Sequence, residues 1–166
     1  MISRRLLLGA ALAGALPLSG CGFHLRGTFD SPFRTMYLQM SDNSPFAVQL
    51  ARQLRAGSSL EIVSEPSQAE AVFVLVNVSR SRDVLSINDA GRSREYELTM
   101  RVRYRVSSPE GFDWLETREI AATRQLTYSE TRYLSREYEE KFLYQDMQQD
   151  LISQIVHSIE AIPPHK

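Results

Sequence analysis

The chain has 166 residues and a mass of 18.9 kDa, is 43% hydrophobic and 23% charged, and carries a formal net charge of −1. That length supports one domain with its own core and is too short for two comfortable ones. The near-neutral balance excludes the global basic field of a nucleic-acid binder; only Lys141 and Lys166 of the 19 basic residues are Lys, so basic surface here is made of arginine forks, which suit phosphate and carboxylate.

At the start of the chain, Arg4 and Arg5 precede an apolar run, Leu6 to Leu16. The run is far shorter than the ~20 residues of a membrane span, so residues 1–20 are expected to be a signal peptide. The "SRRLLL" start suits either the general secretory or the twin-arginine route. Leu18-Ser19-Gly20-Cys21 then resembles the bacterial lipobox, in which the bond between Gly20 and Cys21 is cut and Cys21 is acylated. The plainer reading is a secreted protein with an unpaired Cys near its cleavage site. Cys21 is the only cysteine, so it has no disulfide partner in an oxidising compartment, and acylation accounts for it better. Several acyl chains anchor a protein stably where one does not. Gly22 in place of Asp is similar to the pattern of lipoproteins sorted to the outer membrane. Loss of Arg4 and Arg5 takes the formal charge from −1 to −3. Residues 21–34 are expected to be the lipidated N-terminus and tether, 35–162 one α+β domain, and 163–166 a short tail.

Thr35 to Met40, "TMYLQM", alternates apolar and polar residues and predicts a short strand. Ser44-Pro45 is a helix start, with Phe46, Ala47, Leu50, Ala51 and Leu54 at helical spacing and Gly57 as the stop. Leu60 to Pro66 is compatible with an edge strand. Ala69 to Ser79 is apolar on both parities and β-branched, which predicts a strand covered on both faces or a central strand. Ser81 to Ser93 is polar, with the turn signal Asn88-Asp89-Ala90-Gly91. Next, Tyr96, Leu98, Met100, Val102, Tyr104 and Val106 alternate with charged residues and Thr99, which sets one strand face inward. Ser108 to Gly111 turns into another strand, Trp114 to Thr127, with Ile120, Ala122 and Leu126 inward and Thr117, Thr123 and Gln125 outward. A long amphipathic helix runs from Ser135 or Arg136 to Ile162, with Tyr138, Phe142, Met147, Leu151 and Ile155 in its apolar stripe, and Pro163-Pro164 ends it. The fold class is thus α+β: a two-layer sandwich in β-α-β-β-β-α order, with two helices on one face of a mixed, mostly antiparallel sheet of about four strands. The strand before the first helix is expected to pair in parallel.

Motifs for chemistry are missing from the sequence. His24, His157 and His165 are scattered, so no metal-ligand spacing, cofactor fingerprint or catalytic constellation is expected, and no enzyme. Glu137, Glu139, Glu140, Asp146 and Asp150 read as the solvated face of the long helix. What stands out is basic: seven arginines lie between Arg80 and Arg105, against four acids, giving that hairpin a charge of +3. Arg101, Arg103 and Arg105 share one strand face about 7 Å apart. Like charges in a row need offsetting, either by acids on a neighbouring strand such as Glu116 or Glu119, or by an anionic partner.

Cys21-Gly22-Phe23-His24-Leu25-Arg26 and Glu95-Tyr96-Glu97-Leu98, together with the order of elements, carry a resemblance to the lipopolysaccharide (LPS)-assembly lipoprotein LptE (RlpB) family. That resemblance implies a lipoprotein that sits in and plugs the lumen of the outer-membrane β-barrel LptD, aids its assembly, and assists LPS delivery to the cell surface. It implies two partners, LptD and LPS, besides the outer membrane itself, reached through the N-terminal acyl chains. It also implies a periplasm-facing location within the barrel lumen, and neither cofactor nor nucleic acid. By position it assigns LPS binding to Arg92 and Arg94, and to Arg136, although the loop Asn88–Arg94 departs in detail from the family. A competing reading is another outer-membrane lipoprotein, acting as a lipid-binding or envelope scaffold module.

Overall fold

The structure, a computed structural model, describes residues 31–41, 44–56, 59–87, 93–127 and 133–163; at 93, 94 and 133–136 it describes the backbone. In chain order these form β1 (Thr35–Gln39), α1 (Pro45–Ala56), β2 (Glu61–Val63), a 3-10 turn (Pro66–Gln68), β3 (Ala71–Ile87), β4 (Ser93–Ser107), β5 (Asp113–Thr127) and α2 (Tyr133–Glu160). The strands make one sheet in the order β2-β1-β3-β4-β5. β1 is parallel to β2 and to β3, while β3, β4 and β5 form an antiparallel meander.

The α+β sandwich and the mixed sheet are as expected, with five strands in place of four. The added strand is β2, three residues that pair with β1 over Thr35↔Glu61 to Tyr37↔Val63. It lies within Leu60–Pro66, the stretch compatible with an edge strand, and it does take an edge of the sheet. β3 also runs further than expected, through the polar stretch Ser81–Ile87, because β4 supplies backbone partners to Ile87↔Ser93. Backbone pairing with a neighbour sustains a polar strand that side-chain burial alone does not mark.

Cross-strand partners share a face. Phe73, Leu75 and Val78 of β3 lie opposite Val106, Tyr104 and Val102 of β4, and Met100 and Val102 lie opposite Ala122 and Ile120 of β5. This face carries both helices. Phe46, Leu50 and Leu54 of α1 and Met147, Leu151, Ile152, Ile155 and Ile159 of α2 close the core against Leu98, Met100, Val102, Tyr104 and Val106. Phe33 joins this core and lies 5.8 Å, ring to ring, from Trp114. Each such aliphatic or aromatic side chain contributes roughly 1.5–3 kcal/mol by leaving water. α1 begins as its sequence implies: Ser44 Oγ accepts the Ala47 N–H at 3.0 Å, and Pro45 occupies the first turn. The helices are tied to each other by Gln148 donating to Gln49 at 2.8 Å and Gln53 donating to Ser153 at 3.1 Å.

Two expectations are corrected by the lengths of the elements. β3 is the central strand, one of the two expected forms, but it is covered on both faces only at Ala71–Phe73, and Val76 is already 48% exposed. β1 has five residues and pairs β3 only from Ala71 to Val74. On α2, Tyr138 and Phe142 belong to the expected apolar stripe yet are 78% and 67% exposed. α2 has 28 residues, about 42 Å, whereas α1 has 12, about 18 Å, so the first turns of α2 overhang their partner.

Candidate functional site

Basic side chains gather where β3 passes under the overhanging part of α2. Arg80 and Arg82 lie opposite Met100 and Leu98, so they share the helix-bearing face. The Arg80 guanidinium lies over the Tyr144 ring, 5.1 Å from its centroid. Arg82 lies 5.2 Å over the Tyr96 ring and donates to Glu140 at 3.1 Å. Cations over aromatic faces keep their charge while their aliphatic stems cover apolar surface. Tyr144 in turn donates through Oη to the Ser81 carbonyl at 2.9 Å. Burial, and then the charge of Glu140, push the Tyr144 phenol above its usual value of 10.0.

Beside this cluster runs an open groove of about 910 Å³ between α1 and α2, with Arg52, Arg80 and Lys141 around exposed Val48 and Phe142. A second cavity, about 620 Å³, continues it along β3, with Ser44, Pro45 and Phe46 on one bank and Leu75, Val76 and Val78 on the other. A groove with cations on its rim and apolar side chains in its wall suits an amphiphile with an anionic head. Sequence reasoning counted Arg80 among the hairpin arginines but did not bring it to Arg52 and Lys141. Its period-2 position relative to Val78 was the available signal.

The arginine row of the outer sheet face is mostly neutralised within the fold. Arg103 donates to Glu119 at 3.0 and 3.3 Å, and Arg105 donates to Asp113 at 3.1 Å. Glu119 is one of the two acids expected in this role; Asp113 takes the place of Glu116. Arg101, opposite Ser79 and Ala121, has no ion-pair partner among the described residues. The helix acids are not simply a solvated face. Glu140 holds Arg82, and Asp146 and Asp150 both hold Arg124 of β5, with Asp146 at 2.8 Å.

Gly20, Cys21 and Arg92 lie outside the described residues, as does the turn Asn88–Gly91. Arg94 is placed by its backbone in the second position of β4, beside the Ile87↔Ser93 and Ser86↔Glu95 pairs. Arg136 is placed by its backbone in the first turn of α2, four residues before Glu140. The Arg82–Glu140 ion pair ties α2 to β3, the hairpin partner of β4, at that end of the molecule. His157 is exposed and pairs with Glu160 at 3.2 Å. Among the described residues no group of three or more His, Cys, Asp or Glu is arranged to hold a metal, and no helix is long and apolar enough to cross a membrane.

The fold is that of a known class of small envelope lipoproteins. It is similar to the solution structure of lipoprotein B from Nitrosomonas europaea, with a TM-score of 0.73 and 30% identity, covering 84% of this chain and 91% of that one. It shares its fold with the crystal structure of rare lipoprotein B from Shewanella oneidensis, with a TM-score of 0.66 and 23% identity, covering 75% of this chain and 92% of that one. Within that class the family is specific: the LptE model, described as lipopolysaccharide-assembly, matches residues 33–159, and the chain belongs to that family. It is 29% identical to the LPS-assembly lipoprotein LptE of Photorhabdus laumondii over 95% of this chain and 85% of that protein. It is 31% identical to that of Yersinia enterocolitica over 95% of this chain and 75% of that protein.

Proposed function

We propose that this LPS-assembly lipoprotein is held in the outer membrane by acyl chains on Cys21 and seats within the lumen of the LptD barrel. There it plugs the pore, supports barrel assembly, and meets LPS through Arg92, Arg94 and Arg136. It acts as a binding subunit and not as an enzyme. The observation that carries the reading is the family match across residues 33–159, which spans both helices and the whole meander.

Physical features of the domain support it. The outer sheet face, through exposed Ser79, Arg101, Thr123 and Gln125, is polar and suits the polar interior of an outer-membrane barrel. The long hairpin reaches beyond the core, where Val84 and Ile87 are 53% and 64% exposed. Arginine forks at such a projecting end match the phosphates of lipid A in pairs of charge-assisted hydrogen bonds.

The test is a pull-down of the tagged, detergent-solubilised lipoprotein, with mass spectrometry of its partners and of the peptide containing residue 21. LptD at near-equal amounts and a thioether-linked lipid on Cys21 are the expected results. A bare Cys21 thiol, or a preparation without the barrel, overturns the reading.

A further inference from the structure

β3 has 17 residues, but β1 pairs with only four of them, Ala71 to Val74. From Leu75 to Ile87 the edge of β3 that faces away from β4 carries no strand among the described residues. The chain leaves the line of β1 after Gln39 and turns into α1 through Ser41 and Ser44, which opens a slot where β1 would otherwise have continued. The cavity of about 620 Å³ between Ser44–Phe46 and Leu75–Val78 is this slot.

The direction of the backbone groups along this edge can be read from the ladder. Glu70 donates its N–H to Thr35 of β1 at 3.2 Å, so alternate residues, Val72 and Val74, face β1. The bulge between Leu75 and Asn77 shifts the parity by one. Asn77, Ser79, Ser81 and Asp83 then present N–H and C=O outward, while Val78, Arg80 and Arg82 bond to β4. Independently, the Ser81 carbonyl accepts the Tyr144 hydroxyl at 2.9 Å, as an outward carbonyl must. The backbones of Asn77, Ser79 and Asp83 have no such hydrogen bond among the described residues.

We infer that this edge is a docking site for an extended segment of another protein, which adds as a strand in line with β1. An open edge of this length is a template for strand addition, with main-chain hydrogen bonds giving affinity and alternate side chains giving specificity. The segment's own chemistry follows from the face it must share. Every second side chain would lie on the helix-bearing face beside Arg80, whose charge is met, among the described residues, by the Tyr144 ring alone. An acidic residue at that position is therefore favoured.

Other occupants fit less well. The chain's internal stretches outside the described residues are two to five residues long and connect neighbouring elements. The described chain starts at Ser31, ahead of the end of β1 that lies farthest from Leu75–Ile87, and on the reading above its tether is held to the membrane at Cys21. A second copy pairing edge to edge about Ser81 would set Arg80 opposite the partner's Arg82, twice, on one face, and like charges directly opposed are destabilising. The inference rests on the proposed barrel partnership and assigns it a contact, an extended LptD segment on β3.

The experiment compares backbone hydrogen exchange at Ser79 and Asp83 in the full-length lipoprotein alone and in its detergent-purified complex with LptD. The expected result is exchange slowed about tenfold or more at both amides in the complex, with residues of the outer face of β5 as reference. A Ser79→Pro variant removes an outward N–H that the β3–β4 ladder does not use, which an edge tolerates. It should keep its fold by circular dichroism and recover several-fold less barrel; if it does not fold, exchange in the unmodified chain decides. Equal exchange in the free protein and in a complex that has formed overturns the edge inference and leaves the barrel reading standing. Protection that depends on protein concentration without LptD assigns the edge to a second copy and also overturns it. Failure of the unmodified chain to form a complex removes the barrel reading and this inference together.

Discussion

Arg124 on β5 grips Asp146 on α2 from two nitrogens, Nε at 3.0 Å and Nη2 at 2.8 Å, and also holds Asp150 one turn further along the helix. The hydrogen bond to Asp146, followed by that to Asp150, raises the guanidinium pKa still further above its already high value. The Arg124 side chain is 33% exposed, so solvent and salt screen the pair. Arg124→Gln should lower stability by about 1 kcal/mol in urea unfolding at low salt. The loss should shrink in 1 M salt, where the Debye length is about 3 Å. An equal loss at both ionic strengths would mean that the side chain acts through packing alone.

Tyr144 gives the fold an alkaline limit. Its phenol is held above 10.0 by burial, so the folded chain keeps this proton more tightly than the unfolded chain does. That contribution is fully present below the unfolded value near 10 and is lost as pH rises through the folded value. Stability of the unmodified protein should therefore fall, as pH rises above about 10, more steeply than that of Tyr144→Phe. Parallel urea titrations of the two proteins across this range check it; coincident pH profiles would refute it.

Tyr104 is fully buried and stacks on Phe73 at 5.6 Å, yet its hydroxyl has no hydrogen-bond partner among the described residues. A buried polar atom without a partner costs about 1–3 kcal/mol. Tyr104→Phe keeps the ring and removes that atom, and should raise the midpoint of thermal unfolding. A lowered midpoint would show that the hydroxyl is satisfied in the folded protein.

Arg92→Glu with Arg94→Glu tests the hairpin end as the LPS contact. LPS binding should fall at least tenfold at low salt, since two charge-assisted contacts become repulsive. The far-ultraviolet spectrum should stay unchanged, because the core lies below this end. Unchanged affinity would remove the hairpin from the LPS site.

The layering of this protein was legible in its sequence wherever burial repeats at the period of an element. Leu98, Met100, Val102, Tyr104 and Val106 are all fully buried, in the alternation the sequence shows. The α1 cap at Ser44 and the buried stripe Met147–Ile159 on α2 were equally readable, as were the two strong sequence patches that resemble the family. The lone Cys21 and the tip arginines were sequence-level proposals, and outside the backbone of Arg94 and Arg136 they lie beyond the described residues.

What only the tertiary structure decided are the relationships between distant residues. Glu61–Val63 becomes a strand because β1 offers a partner, and Ser81–Ile87 because β4 does. Tyr138 and Phe142 are left in solvent because α2 outruns α1. Arg124 meets Asp146, Arg80 meets Tyr144, and among the described residues the β3 edge stays open beyond Val74, only once the sheet and helices are assembled. Periodicity is local, since one residue's face follows from its neighbours in the chain. Pairing, overhang and an unoccupied edge depend on the relative lengths of elements far apart in sequence.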